Sequence, residues 1–367
     1  MKRCARRGHE CAANFGSQSD GALNYRPSGV LRSGHLQTLL SSVWPVSWLI
    51  RRRAARLRAH AQELLLDCGD GVRLQAFLSS AAEGGPAEAG VPGAAAGAGR
   101  RVAILLHCWE GSAEAAYVLS LGSLLLSHGF DVVRLNLRDH GATHHLNREI
   151  FHSCRLPEVV GAVRSLAQRF AASRLYLAGF SLGGNFMLRV AADARAPSSI
   201  AGAVAISPVL DPEATLAALE RGPAIYRRSF LRRWSRSLRR KQRAWPGVHD
   251  FNAMLQLRQL RAMTAGLVAQ CTGFPSLAAY LEGYAVTGDR LATLRVPTSL
   301  LLAEDDPIVP AADLARLAAS SQLTVARTRY GGHCGFALGV MRPSAADRFV
   351  LEQFERFERA GLGPPAR

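Results

Sequence analysis

The sequence predicts an α/β fold: a mostly parallel central sheet, helices on both faces, and a helical insertion above the strand tips. Three observations carry this. Short, largely apolar runs at 102–106, 132–137, 175–178 and 201–206 alternate with amphipathic segments at 113–127, 156–169 and 182–192. Uninterrupted apolar strands belong to a sheet covered on both faces, whereas one-sided burial gives alternation. After a break at 208–291, strands at 298–302 and 323–327 and helices at 311–319 and 344–360 resume the pattern. Finally, Gly179-Phe180-Ser181-Leu182-Gly183 joins the run at 175–178 to the segment at 182–192. Glycines on either side of a serine allow a sharp strand-to-helix turn that leaves the hydroxyl exposed at the strand tip.

In chain order, residues 1–25 mix Arg, Cys, Gly and Ser without periodicity and read as a disordered tail. Residues 26–60 form an arm holding Gly34-His35-Leu36-Gln37-Thr38, an apolar run at 39–50 and arginines at 51–53, 56 and 58. Pro45 interrupts the run, which is shorter than the roughly 20 residues that span a bilayer, and no secretory cleavage pattern follows. Residues 63–67 and 72–78, joined by Cys68-Gly69-Asp70-Gly71, form a hairpin that opens the first core segment, 61–207. The Ala/Gly-rich stretch at 81–100 is a flexible surface insertion. Residues 208–291 are a basic helical lid, and 292–360 complete the core.

Composition sets outer bounds. A 48% hydrophobic fraction over 367 residues supports a large core, and a net charge of +17 attracts anions. Seven scattered cysteines without a C-x-x-C pair fit free thiols in a reducing compartment. The expected location is cytoplasmic, with peripheral contact at an anionic inner-membrane surface, through the basic lid and the arm at 26–60, as the open alternative.

A serine hydroxyl becomes a useful nucleophile when an imidazole takes its proton and a carboxylate orients the imidazole. On this architecture the chain order is serine, acid, histidine. Of the two histidines beyond Ser181, His249 falls inside the insertion and His333 in the glycine-flanked loop Gly331-Gly332-His333-Cys334-Gly335, so His333 is the candidate base. The candidate acid is Asp306, which precedes Pro307 at a strand tip and is thereby biased to an extended conformation. Asp305 is the close competitor and Asp211 a distant one. Two backbone amides should form the oxyanion hole: Leu182, and one from the loop His107-Cys108-Trp109-Glu110-Gly111-Ser112, where Trp109 is preferred. His107 and Cys108 border that loop.

Taken together, Gly34 to Thr38, His107 to Ser112, Asn136-Leu137-Arg138, Gly179 to Asn185, Asp306 and Gly331-Gly332-His333 resemble the YheT-like branch of the α/β-hydrolases, alpha/beta hydrolase family four. The likeness runs over about residues 25–360. It implies the α/β-hydrolase fold, a triad on Ser181, Asp306 and His333, no cofactor, and esterase or acylglycerol-lipase activity. Animal members are membrane-bound and act on lipids; bacterial members share the core.

Two departures stand out. Cys108 replaces the family's usual glycine, which would strain the oxyanion loop if that position needs positive φ. After Arg138 the chain reads Asp139-His140-Gly141-Ala142-Thr143-His144-His145, a metal-like composition with no second ligand cluster, so no metal is expected. Within the insertion, eight arginines between 227 and 243 surround Phe230, Trp234 and Leu238, spaced four apart on one face. That pattern is a basic amphipathic helix, read either as a lid with a solvated arginine face or as one that docks on anionic lipid; nucleic acid is not expected as a partner. The functional expectation is a serine hydrolase acting on a small-molecule or lipid ester. Acyl transfer by the same triad and a catalytically inactive lipid- or protein-binding scaffold are the alternatives.

Overall fold

The computed structural model describes residues 25–40, 43, 45–82, 99–339 and 342–361. Of the expected tail at 1–25 only Tyr25 is among the described residues, and it departs from that reading, being buried with its hydroxyl donating to Ala337 O; most of the Ala/Gly stretch, 83–98, also lies outside them. The arm carries helices α1 (Gly34–Leu40), α2 (Val46–Arg53) and α3 (Ala55–Ala59). The hairpin is β1 (Gln62–Asp67) and β2 (Arg73–Ser79); β3 (Arg101–Leu106), α4 (Ala116–Ser127), β4 (Asp131–Leu135), α5 (Leu156–Arg169), β5 (Arg174–Phe180), α6 (Leu182–Ala192) and β6 (Ile200–Ile206) follow. The insertion holds α7 (Pro212–Arg221), α8 (Ala224–Ala244), α9 (Leu260–Cys271) and α10 (Leu277–Glu282), and the chain closes with β7 (Thr298–Ala303), β8 (Leu323–Thr328) and α11 (Ala345–Gly361).

These strands form one eight-stranded sheet in the order β1-β2-β4-β3-β5-β6-β7-β8. The hairpin is antiparallel, β2 also pairs antiparallel with β4, and every pairing from β4 to β8 is parallel. Burial follows the two-residue period of a pleated strand: Val102, Ile104 and Leu106 face one apolar cluster with α5 and α6, while Ala103 and Leu105 face the other with α4 and α11. Because β4 lies on one side of β3 and β5 on the other, the chain reverses its winding between β3 and β5. A crevice at the carboxyl ends of such strands is where open α/β sheets bind ligands. It is also where the loop after β3 meets Ser181.

One expected helix is absent. Residues 311–319 were predicted helical, but only a 3-10 segment, Ala311–Arg316, forms. Backbone bonds from Gly288 N–H to Arg316 O and from Ala318 N–H to Gly288 O capture the chain in a bridge and end the turn. The arm packs on the main domain through α2 and α3 against α4, burying Ala54 and Leu57 while Trp48 stays 49% exposed. Among the described residues no helix is long and apolar enough to cross a membrane.

Candidate active site

Ser181 sits between β5 and α6 with φ 53° and ψ −117°, in a region that side-chain-bearing residues rarely adopt. The turn is enforced by its neighbours: a β-carbon on Gly183 would lie 2.5 Å from the carbonyl oxygens of both Leu106 and His107. Glycine at 183 therefore lets α6 press against the end of β3, and the nucleophile and the oxyanion loop come together as a consequence.

His333 Nε2 lies 2.8 Å from Ser181 Oγ, and His333 Nδ1 lies 2.8 Å from Asp306 Oδ2. The other Asp306 oxygen accepts hydrogen bonds from the amides of Ile308 and Val309, at 2.8 and 3.0 Å. With one oxygen fixed by backbone, the second has a single direction left, toward the imidazole. Burial pulls the His333 pKa down, but the charge of Asp306 and its hydrogen bond outweigh that, with help from Cys108, so the net shift is upward. Asp305, the competing acid, faces elsewhere. Its Oδ1 accepts from Gly332 N–H at 2.8 Å, and burial raises its pKa against that bond. Asp211 caps α7 and pairs with Arg316, and His249 bonds to Arg148 O.

The loop after β3 has few free amides. Cys108 N–H donates to Tyr117 Oη at 3.0 Å, Glu110 N–H donates to His140 Nε2 at 3.0 Å, and Gly111 N–H bonds to Cys108 O. No hydrogen bond among the described residues engages the amides of Trp109 or Leu182. Those two are therefore the donors left for an anion beside Ser181. His107 and His140, with ring centroids 4.9 Å apart, fix the loop: His107 Nε2 accepts from Leu137 N–H, and its Nδ1 bonds to Cys108 O. Burial drives the pKa of His107 to about 3 and that of His140 to about 4, so both remain neutral bridges at ordinary pH. Sequence alone could not show that His107 acts as a brace.

Cys108 carries none of the strain expected if it replaced a left-handed glycine. Glu110 holds the positive φ, 54°, and Cys108 does not. Its thiol is drawn down to about 7 by the Cys334 thiol beside it, against burial and with help from His333. The Asp139 region is likewise structural. Asp139, at φ 59°, accepts Lys241 Nζ at 2.9 Å and Phe151 N–H at 2.8 Å, and among the described residues no cluster of potential ligands fits a metal ion.

The motif at 34–38 turns out to be a buttress for the histidine loop. Thr38 Oγ1 accepts His333 N–H at 2.9 Å, and Gln37 Oε1 accepts Ala337 N–H at 2.8 Å. Gly332, at φ 54°, lies so close to Gly34 O that a side chain there would collide. Above the site, α7 to α10 roof an apolar cavity of about 850 Å³, part of it open to solvent, that reaches Ser181, Cys108 and Trp109. Trp109 stacks on Phe230 (5.3 Å) and meets Trp234 edge-on (5.1 Å).

Residues 102–340 match the family model described as alpha/beta hydrolase fold, well over half of the chain. The chain belongs to the alpha/beta hydrolase fold family. As a YheT-like member, this hydrolase-fold chain is similar to YheT of Escherichia coli (strain K12), an esterase by its name, at 24% identity over 84% of the chain and 85% of YheT. It is also 24% identical to the embryogenesis-associated protein EMB8 of Picea glauca, matching 72% of the chain but spanning only 60% of EMB8. Among solved structures it resembles the Pyrococcus furiosus esterase Pf2001, with a TM-score of 0.51 at 14% identity over 82% of the chain and 92% of that protein. A second is 2,6-dihydroxy-pseudo-oxynicotine hydrolase, with a TM-score of 0.51 at 18% identity over 85% and 71%. At these identities the solved structures speak for the fold.

Proposed function

We propose that this hydrolase-fold protein cleaves carboxylic esters with apolar acyl groups through a Ser181–His333–Asp306 triad. The observation that carries the reading is the unbroken relay from Ser181 Oγ through both ring nitrogens of His333 to Asp306, each link 2.8 Å. YheT and Pf2001, both named as esterases, agree with it.

In this scheme His333 Nε2 accepts the serine proton as Oγ attacks the ester carbonyl, and Asp306 holds the imidazolium that forms. Negative charge on the former carbonyl oxygen falls to the amides of Trp109 and Leu182, the latter at the N-terminus of α6, where the helix dipole adds to the stabilisation. His333 then returns the proton to the leaving alkoxide, and water attacks the acyl-serine with the same histidine as base. The cavity supports an apolar acyl group: Trp109, Leu216, Leu219, Phe230, Trp234 and Leu267 line it.

The test is labelling by a fluorophosphonate probe, followed by hydrolysis of p-nitrophenyl esters from acetate to palmitate. Wild type is expected to label, Ser181→Ala and His333→Ala not, and kcat/KM to rise beyond acetate. A folded wild-type protein that neither labels nor hydrolyses any ester would overturn the reading and favour a binding scaffold.

A further inference from the structure

The roof helix α8 is two-sided. Its inner face, Tyr226, Phe230, Trp234, Leu238 and Lys241, is buried or packed on the core. At 100° per residue, Arg228, Arg232, Arg236, Arg239 and Arg243 fall within an arc of roughly 80° opposite Trp234. All five are exposed, and among the described residues none has a carboxylate within ion-pair distance. Some exposed arginines elsewhere have carboxylate partners: Arg58 has Glu114, Arg195 has Asp193, Arg261 has Glu213 and Arg316 has Asp211. Five unmatched charges therefore line up on one face of a single helix, over about 22 Å.

We propose that this arginine row docks the protein on an anionic phospholipid bilayer, with the ester cavity beneath it. A straight row on a rigid helix can meet a flat anionic plane along its whole length, and each guanidinium can grip a lipid phosphate with two N–H groups. Ile225, 54% exposed at the helix start, offers an apolar contact beside the row. Single-stranded nucleic acid fits less well, because it is bound by aromatic side chains on which bases stack, and α8 turns Phe230 and Trp234 inward. The docking surface is separate from the triad, so it stands or falls independently of the proposed chemistry.

The experiment is co-sedimentation of the full chain with vesicles of phosphatidylcholine alone or mixed with phosphatidylglycerol. Wild type and Ser181→Ala are expected to bind the anionic vesicles equally, to ignore the neutral ones, and to release with added salt. Arg228, Arg232, Arg236, Arg239 and Arg243 changed together to Gln should weaken partitioning by two orders of magnitude or more, at about fivefold per arginine near an anionic surface. That variant should hydrolyse soluble p-nitrophenyl butyrate like wild type, which also shows that it is folded. Arg195→Gln with Arg261→Gln, which removes charge away from the row, should leave binding unchanged. The proposal is overturned if wild type fails to bind anionic vesicles or binds neutral ones equally, if the five-arginine variant still binds, or if single-stranded RNA strips wild type from the vesicles. Loss of ester hydrolysis with vesicle binding intact would sink only the proposed chemistry.

Discussion

The floor and the roof of the cavity are held by different physics. On the floor, short local motifs at neighbouring strand ends fix the geometry: the turn at Ser181, the Asp306 loop bonded to its own following amides, and the glycine-flanked His333. The roof is fixed by side chains reaching across long sequence distances. Lys241 Nζ donates toward Asp139 Oδ1 and the carbonyls of His144, Asn147 and Glu149, His144 Nε2 bonds Ser237 Oγ, and His35 Nδ1 lies 2.9 Å from Tyr226 Oη. A helix pinned this way is a fixed wall of the cavity. Floor substitutions should therefore change chemistry at constant stability, whereas roof substitutions should change stability.

The sharpest break is Ser181→Ala, expected to lower kcat by about 10⁴- to 10⁶-fold with an unchanged unfolding midpoint in urea. Asp306→Asn comes next, at about 10⁴-fold. It also has a pH signature. His333 must be neutral to act as base, and its pKa is raised above the ordinary 6.5, so activity should fall as pH drops through a value higher than that. Asp306→Asn removes the main raising influence and leaves burial opposed only by Cys108, so the acid limb should move down; if Asp305→Asn does this instead, the acids have been assigned the wrong way round.

On the roof, Lys241→Met leaves Asp139 buried without its cation and should cost about 3–5 kcal/mol of unfolding free energy, read by urea denaturation. A loss near zero would mean that α8 is held by apolar packing alone. The smallest effect belongs to Tyr226→Phe, which deletes a hydroxyl shared by His35 and Thr38 and should cost about 0.5–1.5 kcal/mol, with kcat within about twofold of wild type.

Legibility followed the same divide. Ser181, Asp306 and His333, picked out by order and spacing, lie within hydrogen-bond reach of one another, because each lies in a short motif tied to a strand tip. Tyr117 and His140 occupy the amides on either side of Trp109, a pairing that no local pattern reports. The concern over Cys108 dissolved because the positive φ falls two residues later, a detail set by how the loop packs on His140. The missing helix at 311–319 was lost to a backbone bridge from Gly288, and no local propensity reports such a partner.

A signal for the roof pin was present in the sequence all the same. Apart from Lys2, Lys241 is the chain's only lysine amid abundant arginine. A compact ammonium can point its N–H groups at carbonyls closing around a point, where a flat guanidinium cannot fit. By itself, then, the sequence determined the alternation of strands and helices, the turn at Ser181 and the order of the triad, because these depend on neighbours a few residues away. Only the tertiary structure decided which amides stay free, what braces the His333 loop and how the roof is anchored, because those outcomes depend on buried polar groups finding partners on other elements, from nine residues away for Tyr117 to 295 for Thr38.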